Sequence, residues 1–183
     1  DWQTALIPVY LRLFYRDDDR YRNIKTLFTI HNIQYQGKFG KEILEDVFGI
    51  PSSESSLVEY GDCINLMKGA IECAHRVSTV SPTYAKEILD PWYSHGLDSI
   101  LREREWKLCG IVNGIDTDVY NPETDKAIVA HYSADNLEGK AADKAALQEL
   151  MGLKRTDEIP LIAMVTRLVS HKGLDLVKAR LDS

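Results

Sequence analysis

The sequence predicts an α/β fold with a doubly wound parallel sheet. Short runs of β-branched and aromatic residues alternate along the chain with longer segments in which apolar residues recur every three or four positions. Strands that alternate with helices in this way are typical of parallel sheets joined by right-handed crossovers. The chain has 183 residues, of which 44% are hydrophobic and 27% charged, so it can bury a substantial core.

The first half of the chain carries two of the predicted strands. Asp1 is placed to cap the first helix, and Ser81-Pro82 is a strong helix start because Ser accepts from the first turn while Pro at the first helical position lacks only an orphan N–H. The first strand runs directly into His31. Helices are predicted over residues 1–13, 41–48, 57–75 and 81–89, and strands over residues 24–30 and 76–80.

The second half repeats the alternation. Asn113-Gly114 is expected to force a turn directly after the third strand, and Gly152 is placed to end a long helix. Helices are predicted over residues 97–105 and 135–151 and again after residue 173, and strands over residues 108–112 and 160–165.

Composition and charge exclude several classes of function. The net charge of −6 and the isoelectric point near 5.4 argue against a nucleic-acid groove and against an anionic membrane surface. No apolar run is long enough to span a bilayer. Cys63, Cys73 and Cys109 lack the paired spacing of a zinc site, so we expect no metal and predict buried, reduced thiols in a cytoplasmic protein.

A loop with two cations follows the last predicted strand. Arg167 and Lys172 lie between that strand and the final helix. Ligands of open parallel sheets bind beyond the carboxyl ends of strands, and the free N–H groups of a following helix favour an anion. The pattern therefore predicts a phosphate-binding loop, although the residues alone fit two solvated surface charges as well.

Polar residues also end two other strands. His31 ends the first strand and Asn113 the third, so both belong to the edge where an α/β sheet binds its ligands. Without further information, His31 is often only a hydrogen-bonded boundary residue, and a plain Asn-Gly turn is the more common explanation of Asn113.

Five motifs decide between these alternatives, because they occur in the order and at the spacings of one family. They are residues 1–6 (DWQTAL), 30–37 (IHNIQYQG), 80–85 (VSPTYA), 110–116 (GIVNGID) and 167–173 (RLVSHKG). In these motifs the chain resembles bacterial glycogen synthases and is close to plant starch synthases, over essentially its whole length.

The resemblance implies a retaining glucosyltransferase of the two-Rossmann-domain, GT-B type, which needs no metal or other cofactor. Its substrates would be ADP-glucose and an α-1,4-glucan such as glycogen. Arg167 and Lys172 match the pair that grips the ADP diphosphate. Asn113 matches an active-site Asn that bonds a glucosyl hydroxyl, and His31 matches a histidine close to the C6 hydroxyl of the transferred glucose.

The resemblance also implies a domain division and a fragment. Residues 1–116 would be the later part of the N-terminal, acceptor-side domain, residues 117–156 the interdomain crossover with its helix, and residues 157–183 the first strand and helix of the nucleotide-sugar domain. The chain starts without Met, ends inside a predicted helix, and lacks the family's Lys-x-Gly-Gly-Leu loop and paired glutamates. We therefore expect a fragment that is poorly stable and inactive by itself.

Two other functions remain open at this stage. A synthase that uses UDP-glucose would carry the same phosphate loop, because that loop contacts the diphosphate and not the base. A short, non-catalytic protein that binds a glucan or a protein partner could also have kept this part of the fold.

Overall fold

A computed structural model describes residues 1–181 and divides the chain into two compact units, Asp1–Gly114 and a second unit that begins at Ile115. The described α-helices are α1 (Leu6–Leu13), α2 (Leu66–Cys73), α3 (Pro82–Glu87), α4 (Asp98–Glu103), α5 (Gly139–Leu150) and α6 (Leu174–Arg180). The described strands are β1 (Leu27–Ile30), β2 (Lys38–Phe39), β3 (Glu59–Tyr60), β4 (Cys63–Asn65), β5 (Arg76–Thr79) and β6 (Leu108–Gly110). Short 3₁₀ helices cover Trp2–Thr4, Lys41–Ile43, Ser52–Leu57, Glu105–Lys107 and Ser170–Lys172.

A parallel sheet in the order β1-β5-β6 forms the centre of the first unit, which confirms the predicted α/β class. Its last aligned residues are Ile30, Thr79 and Gly110, so the three strands end at one edge. Val77 and Phe28 are buried where helices cover the sheet. Parallel strands bury both faces in this way because their crossover connections place helices on the sheet.

The helices α1 and α2 pack against each other at a glycine. A Cβ at Gly69 would lie 2.6 Å from Val58 Cγ1 and 3.1 Å from Val9 Cγ2, so only glycine allows this approach. Met67 and Ile71 of α2 are fully buried beside it. The close packing of these side chains therefore explains the glycine in the middle of α2.

The long helix predicted over residues 57–75 is wrong in its first half. Residues 59–65 form an antiparallel hairpin of β3 and β4, and β2 pairs with the other side of β4. The helix α2 starts only at Leu66. Pairing of β4 with β2 and β3 supplies backbone hydrogen-bond partners to this segment, and tertiary pairing of this kind overrides local preference. The helix predicted over 41–48 is likewise reduced to one 3₁₀ turn, Lys41–Ile43, and following turns.

Other predictions differ from the structure at element ends. The helix predicted over 135–151 begins at Gly139 and ends as expected before Gly152, whose φ is +66°. The end of the final predicted helix at Ser183 lies outside the described residues. Cys109 is exposed and Cys63 and Cys73 are half-buried, so the prediction of three buried thiols is wrong, while all three are free.

The strand predicted over residues 160–165 does not form. This segment is irregular, with Val165 fully exposed and Ile162 91% exposed. A strand needs a neighbour to accept its backbone hydrogen bonds, and residues 115–181 contain no strand at all. An apolar run specifies a buried strand only where such a neighbour exists.

No helix within residues 1–181 has the length and apolarity to cross a membrane. In the same part of the chain, no group of three or more His, Cys, Asp or Glu residues could hold a metal ion.

Candidate functional site

The first unit brings His31 and Asn113 to the same edge of the parallel sheet. His31 directly follows β1, and Asn113 lies three residues beyond β6, with the end of β5 between them. Two strand spacings separate β1 from β6, which is about 10 Å. Both side chains are exposed, as a group that meets a ligand must be.

The backbone at His31 is held by a carboxylate. Asp1 Oδ1 accepts hydrogen bonds from the backbone N–H groups of His31, at 2.8 Å, and of Asn32, at 3.3 Å. Asp1 makes no side-chain hydrogen bond to the helix that follows it, so its predicted capping role is wrong. Its role in the structure is to orient the start of the loop that carries His31.

The rest of this loop is fixed by a buried polar network. Gln36 is 3% exposed, donates to the His95 carbonyl oxygen at 3.1 Å and accepts from Asn65 Nδ2 at 2.7 Å. The Asn65 Oδ1 atom in turn accepts from the N–H of Lys68 and caps α2. Because both polar groups of Gln36 are satisfied inside the protein, it supports the loop and does not line a cleft.

Trp2 packs against the same loop from the other side. A Cβ on Gly37, whose φ is +66°, would lie 2.8 Å from the Trp2 ring, and the ring meets Phe39 edge-on at a centroid distance of 5.8 Å. Trp2 also packs against the hydrophobic core. Trp2 is therefore a packing residue, whereas Tyr35 in the loop is 50% exposed.

Helix α3 packs beside the carboxyl ends of the parallel strands. Ser81 Oγ accepts from the N–H of Tyr84 at 2.9 Å, which confirms the predicted cap. Burial raises the pKa of the Tyr84 hydroxyl on this helix. On the other side, a Cβ at Gly110 would lie 2.1 Å from the Ser81 carbonyl oxygen, so α3 rests directly on the end of β6.

Asn113 lies beyond β6 in a segment without regular secondary structure. The N–H of Ile111 donates to the Thr79 carbonyl oxygen at 2.8 Å, which prolongs the ladder by one residue. The turn predicted at Asn113-Gly114 is wrong, since no turn is formed there. The chain turns only at residues 117–119, where Asp116 Oδ1 accepts from the N–H groups of Asp118 and Val119.

Arg167 and Lys172 belong to the second unit and flank two consecutive short turns. The N–H of Val169 donates to the Arg167 carbonyl oxygen at 2.9 Å, and the N–H of Lys172 donates to the Val169 carbonyl oxygen at 3.0 Å. Both side chains are exposed. Gly173 follows with φ of +69°, a left-handed conformation that glycine adopts without strain, and leads into α6.

Two supporting residues were missed by sequence reasoning. Asp1 was assigned to a helix cap because it precedes an amphipathic run, and nothing local indicates a contact 30 residues away. Asn65 falls inside the helix predicted over residues 57–75, so its capping role was missed. An Asn directly before an apolar helical run is nevertheless the usual signal of an N-cap.

Comparison with known proteins identifies the family. The model of the starch synthase catalytic domain matches residues 1–103, more than half of the chain. The chain belongs to the starch synthase catalytic-domain family. The predicted family resemblance is thereby confirmed.

Individual relatives of this family are similar over nearly the whole chain. A glycogen synthase of Streptococcus agalactiae serotype III is 48% identical over 185 residues, and one of Clostridioides difficile is 46% identical over 179 residues. They cover 100% and 97% of this chain, whereas the chain covers only 39% and 37% of them. The chain thus spans about two-fifths of the length of these synthases.

A solved structure gives the same result for the fold. The catalytic domain of starch synthase IV from Arabidopsis thaliana, bound to ADP and acarbose, superposes with a TM-score of 0.85 at 36% identity. The match covers 98% of this chain and 37% of that one. The chain therefore has the fold of part of a GT-B synthase.

Proposed function

We propose that the chain is part of a glycogen synthase that transfers glucose from ADP-glucose to the non-reducing end of an α-1,4-glucan with retention of configuration. The observation that carries this proposal is the match to glycogen synthases at 46–48% identity over the whole chain. The ADP and acarbose in the plant structure support a nucleotide-sugar donor and a glucan acceptor. The reaction would take place in the cytoplasm and need no metal or cofactor.

Arg167 and Lys172 are proposed to hold the ADP diphosphate. As the bond from glucose to the diphosphate breaks, the departing oxygens gain negative charge, and cations already in place stabilise that charge without reorganisation. Two consecutive hydrogen-bonded turns, from Arg167 to Val169 and from Val169 to Lys172, keep both charges on the same short loop. The two cations should therefore stabilise the transition state more than they strengthen the binding of the substrate.

His31 and Asn113 are proposed to contact the glucosyl group. Both are exposed at the carboxyl edge of the parallel sheet, and the backbone of His31 is fixed by the Asp1 carboxylate. An imidazole and a short amide can each donate and accept hydrogen bonds with sugar hydroxyls. In this arrangement they orient the glucose, while the cations stabilise the leaving group.

The proposed domain assignment follows from the same family. Residues 1–116 would form the later part of the acceptor-side domain, residues 117–156 the crossover, and residues 157–183 the beginning of the nucleotide-sugar domain. Because the remaining site residues would lie outside this chain, we predict that the 183-residue chain alone does not transfer glucose.

The test is glucose transfer to glycogen by the full-length protein and its variants. Arg167→Ala and Lys172→Ala should each lower kcat by about 10²- to 10³-fold and change KM much less. His171→Ala, which removes a neighbouring side chain of the same loop, is the matched control and should keep nearly full activity. Wild-type kcat in both cation variants would refute the assignment of the diphosphate site.

The donor is tested separately with two nucleotide sugars. The full-length protein should show a higher kcat/KM with ADP-glucose than with UDP-glucose. The reverse preference would establish the UDP-glucose alternative and leave the roles of Arg167 and Lys172 intact. Glucan binding without transfer from either donor would instead favour a non-catalytic glucan-binding protein.

A further inference from the structure

A polar pocket lies at the edge of the parallel sheet where the strands begin. It has a volume of about 300 Å³, and its polar wall consists of Arg12, Arg16, Arg22 and His75. We call it the arginine pocket. His75 directly precedes β5, whereas the proposed glucosyl site lies beyond the carboxyl ends of the strands. Four-residue strands separate the two edges by about 13 Å.

The charge of this pocket is unusual for the chain. Three guanidinium groups line it in a protein of net charge −6, and none of its lining residues is a carboxylate. Burial raises the pKa of the Cys73 thiol, another lining group, so that thiol is neutral and adds no negative charge. All three arginines are exposed at this concave surface, where like charges placed together attract an anion.

Two of the three arginines are not neutralised by a carboxylate within the described residues. Within residues 1–181, Arg12 and Arg16 form no ion pair with a carboxylate, whereas Arg22 pairs with Asp19 at 2.8 Å. Arg12 is in the last turn of α1 and Arg16 follows it by four residues, so both originate from one end of that helix. Guanidinium groups bind phosphate oxygens through paired, parallel hydrogen bonds.

His75 supplies a further donor in a fixed orientation. The backbone N–H of Thr26 donates to His75 Nδ1 at 3.1 Å, and the backbone N–H of His75 donates to Thr26 Oγ1 at 3.2 Å. Because Nδ1 accepts, the proton of the neutral ring resides on Nε2.

The remaining wall suits an organic group of modest size. Leu11 and Ile24 provide apolar surface, and Tyr21 provides a phenol that can bond a hydroxyl. A volume of about 300 Å³ is at the lower end of the range for small-molecule sites and exceeds what inorganic phosphate needs. Arg12 and Arg16 also border the neighbouring depression, which they share with three carboxylates. Those carboxylates, Asp17, Asp18 and Glu54, disfavour an extended polyanion there.

We propose that the arginine pocket binds the phosphate monoester of a sugar-sized metabolite, with its phosphate on Arg12 and Arg16 and its hydroxyl-bearing body against Tyr21 and Ile24. This site is separate from the one proposed for glucose transfer and does not depend on that function.

The test is equilibrium binding of a hexose monophosphate to the full-length protein by calorimetry. Arg12→Gln and Arg16→Gln should each weaken binding about tenfold, because each removes charge-assisted hydrogen bonds to the phosphate. Arg20→Gln is the matched control, since Arg20 belongs to the same segment, is 75% exposed and pairs with Asp18. It should leave the dissociation constant unchanged within twofold.

Parallel titrations with related ligands test which chemical groups the pocket recognises. Inorganic phosphate should bind much more weakly than the hexose monophosphate, and the neutral hexose should not bind. Equal affinity for inorganic phosphate would refute the proposed contacts between the sugar and the pocket. Equal weakening by Arg20→Gln would indicate general electrostatic attraction and overturn the site.

The diphosphate site needs its own control, because a phosphate ester could bind there. In an Arg167→Gln variant, binding to the arginine pocket should persist. Loss of binding in that variant together with normal binding in Arg16→Gln would place the ligand in the second unit and refute the proposal. The absence of saturable binding in the wild type would refute it as well.

Discussion

Replacing Asn65 by Ala tests the buried network that supports the His31 loop. Asn65 is fully buried and performs two functions, because its Oδ1 atom caps α2 and its Nδ2 group donates to Gln36 Oε1. Loss of an N-cap costs about 1 kcal/mol. Leaving a buried acceptor without a donor costs about 1–3 kcal/mol more.

The sum of these two terms is about 2–4 kcal/mol of unfolding free energy. At about 3 °C per kcal/mol for a chain of this size, Asn65→Ala should lower Tm by about 6–12 °C. The assay is urea and thermal unfolding of the purified chain, followed by far-UV circular dichroism. The control is Asn136→Ala, whose exposed side chain accepts from the N–H of Glu138 and should cost less than about 1 kcal/mol.

A double-mutant cycle separates the network from the cap. Once Asn65 is Ala, the further change Gln36→Leu should cost less than it does in the wild type, because only the hydrogen bond to the His95 carbonyl oxygen remains to be lost. Strictly additive effects of the two changes would refute the network. So would an Asn65→Ala variant that is no less stable than Asn136→Ala.

Three further predictions concern the sheet edge and the loops around it. Gly110→Ala should destabilise the chain by about 2 kcal/mol or more in urea unfolding, because its Cβ would meet backbone at 2.1 Å, whereas Gly114→Ala, with open space around it, should be nearly neutral. Hydrogen bonds from the Ser52 hydroxyl and N–H lower the pKa of Glu45 below its ordinary 4.5, so the stability they provide is complete above pH 4.5 and is lost as pH falls through the lower, folded-state pKa. Glu45→Gln and, in part, Ser52→Ala should therefore flatten the dependence of Tm on pH below 4.5, and an unchanged slope would contradict this cause. Asp1→Ala should lower kcat of the full-length protein about tenfold, because two N–H groups lose a charged acceptor, while Asp1→Asn should retain most of the activity.

Local chemistry made part of the fold predictable. The strand pattern at residues 24–30 and 76–80 and the cap at Ser81 are properties of short segments, and all three have counterparts in β1, β5 and α3. The candidate residues His31 and Asn113 could be selected because the carboxyl ends of parallel strands meet at one edge, whatever the packing around them. The motifs themselves indicated the family.

Pairing between distant segments was decided only in three dimensions. The hairpin formed by β3 and β4 replaces a helix whose apolar spacing looked equally good in sequence, because partners in the folded chain accept its backbone hydrogen bonds. The run at 160–165 has strand composition but no partner within the described residues, and it stays irregular.

By itself, the sequence determined the alternation of strands and helices, the motifs of the family and the residue types available for chemistry. Tertiary structure decided which of these groups meet: the Asp1 carboxylate at the backbone of His31, Gln36 on Asn65, and the His75 ring at the backbone of Thr26. The reason is physical. Helix caps and turns depend on neighbours a few residues away, whereas these contacts join residues that the sheet and its crossovers bring together from distant parts of the chain.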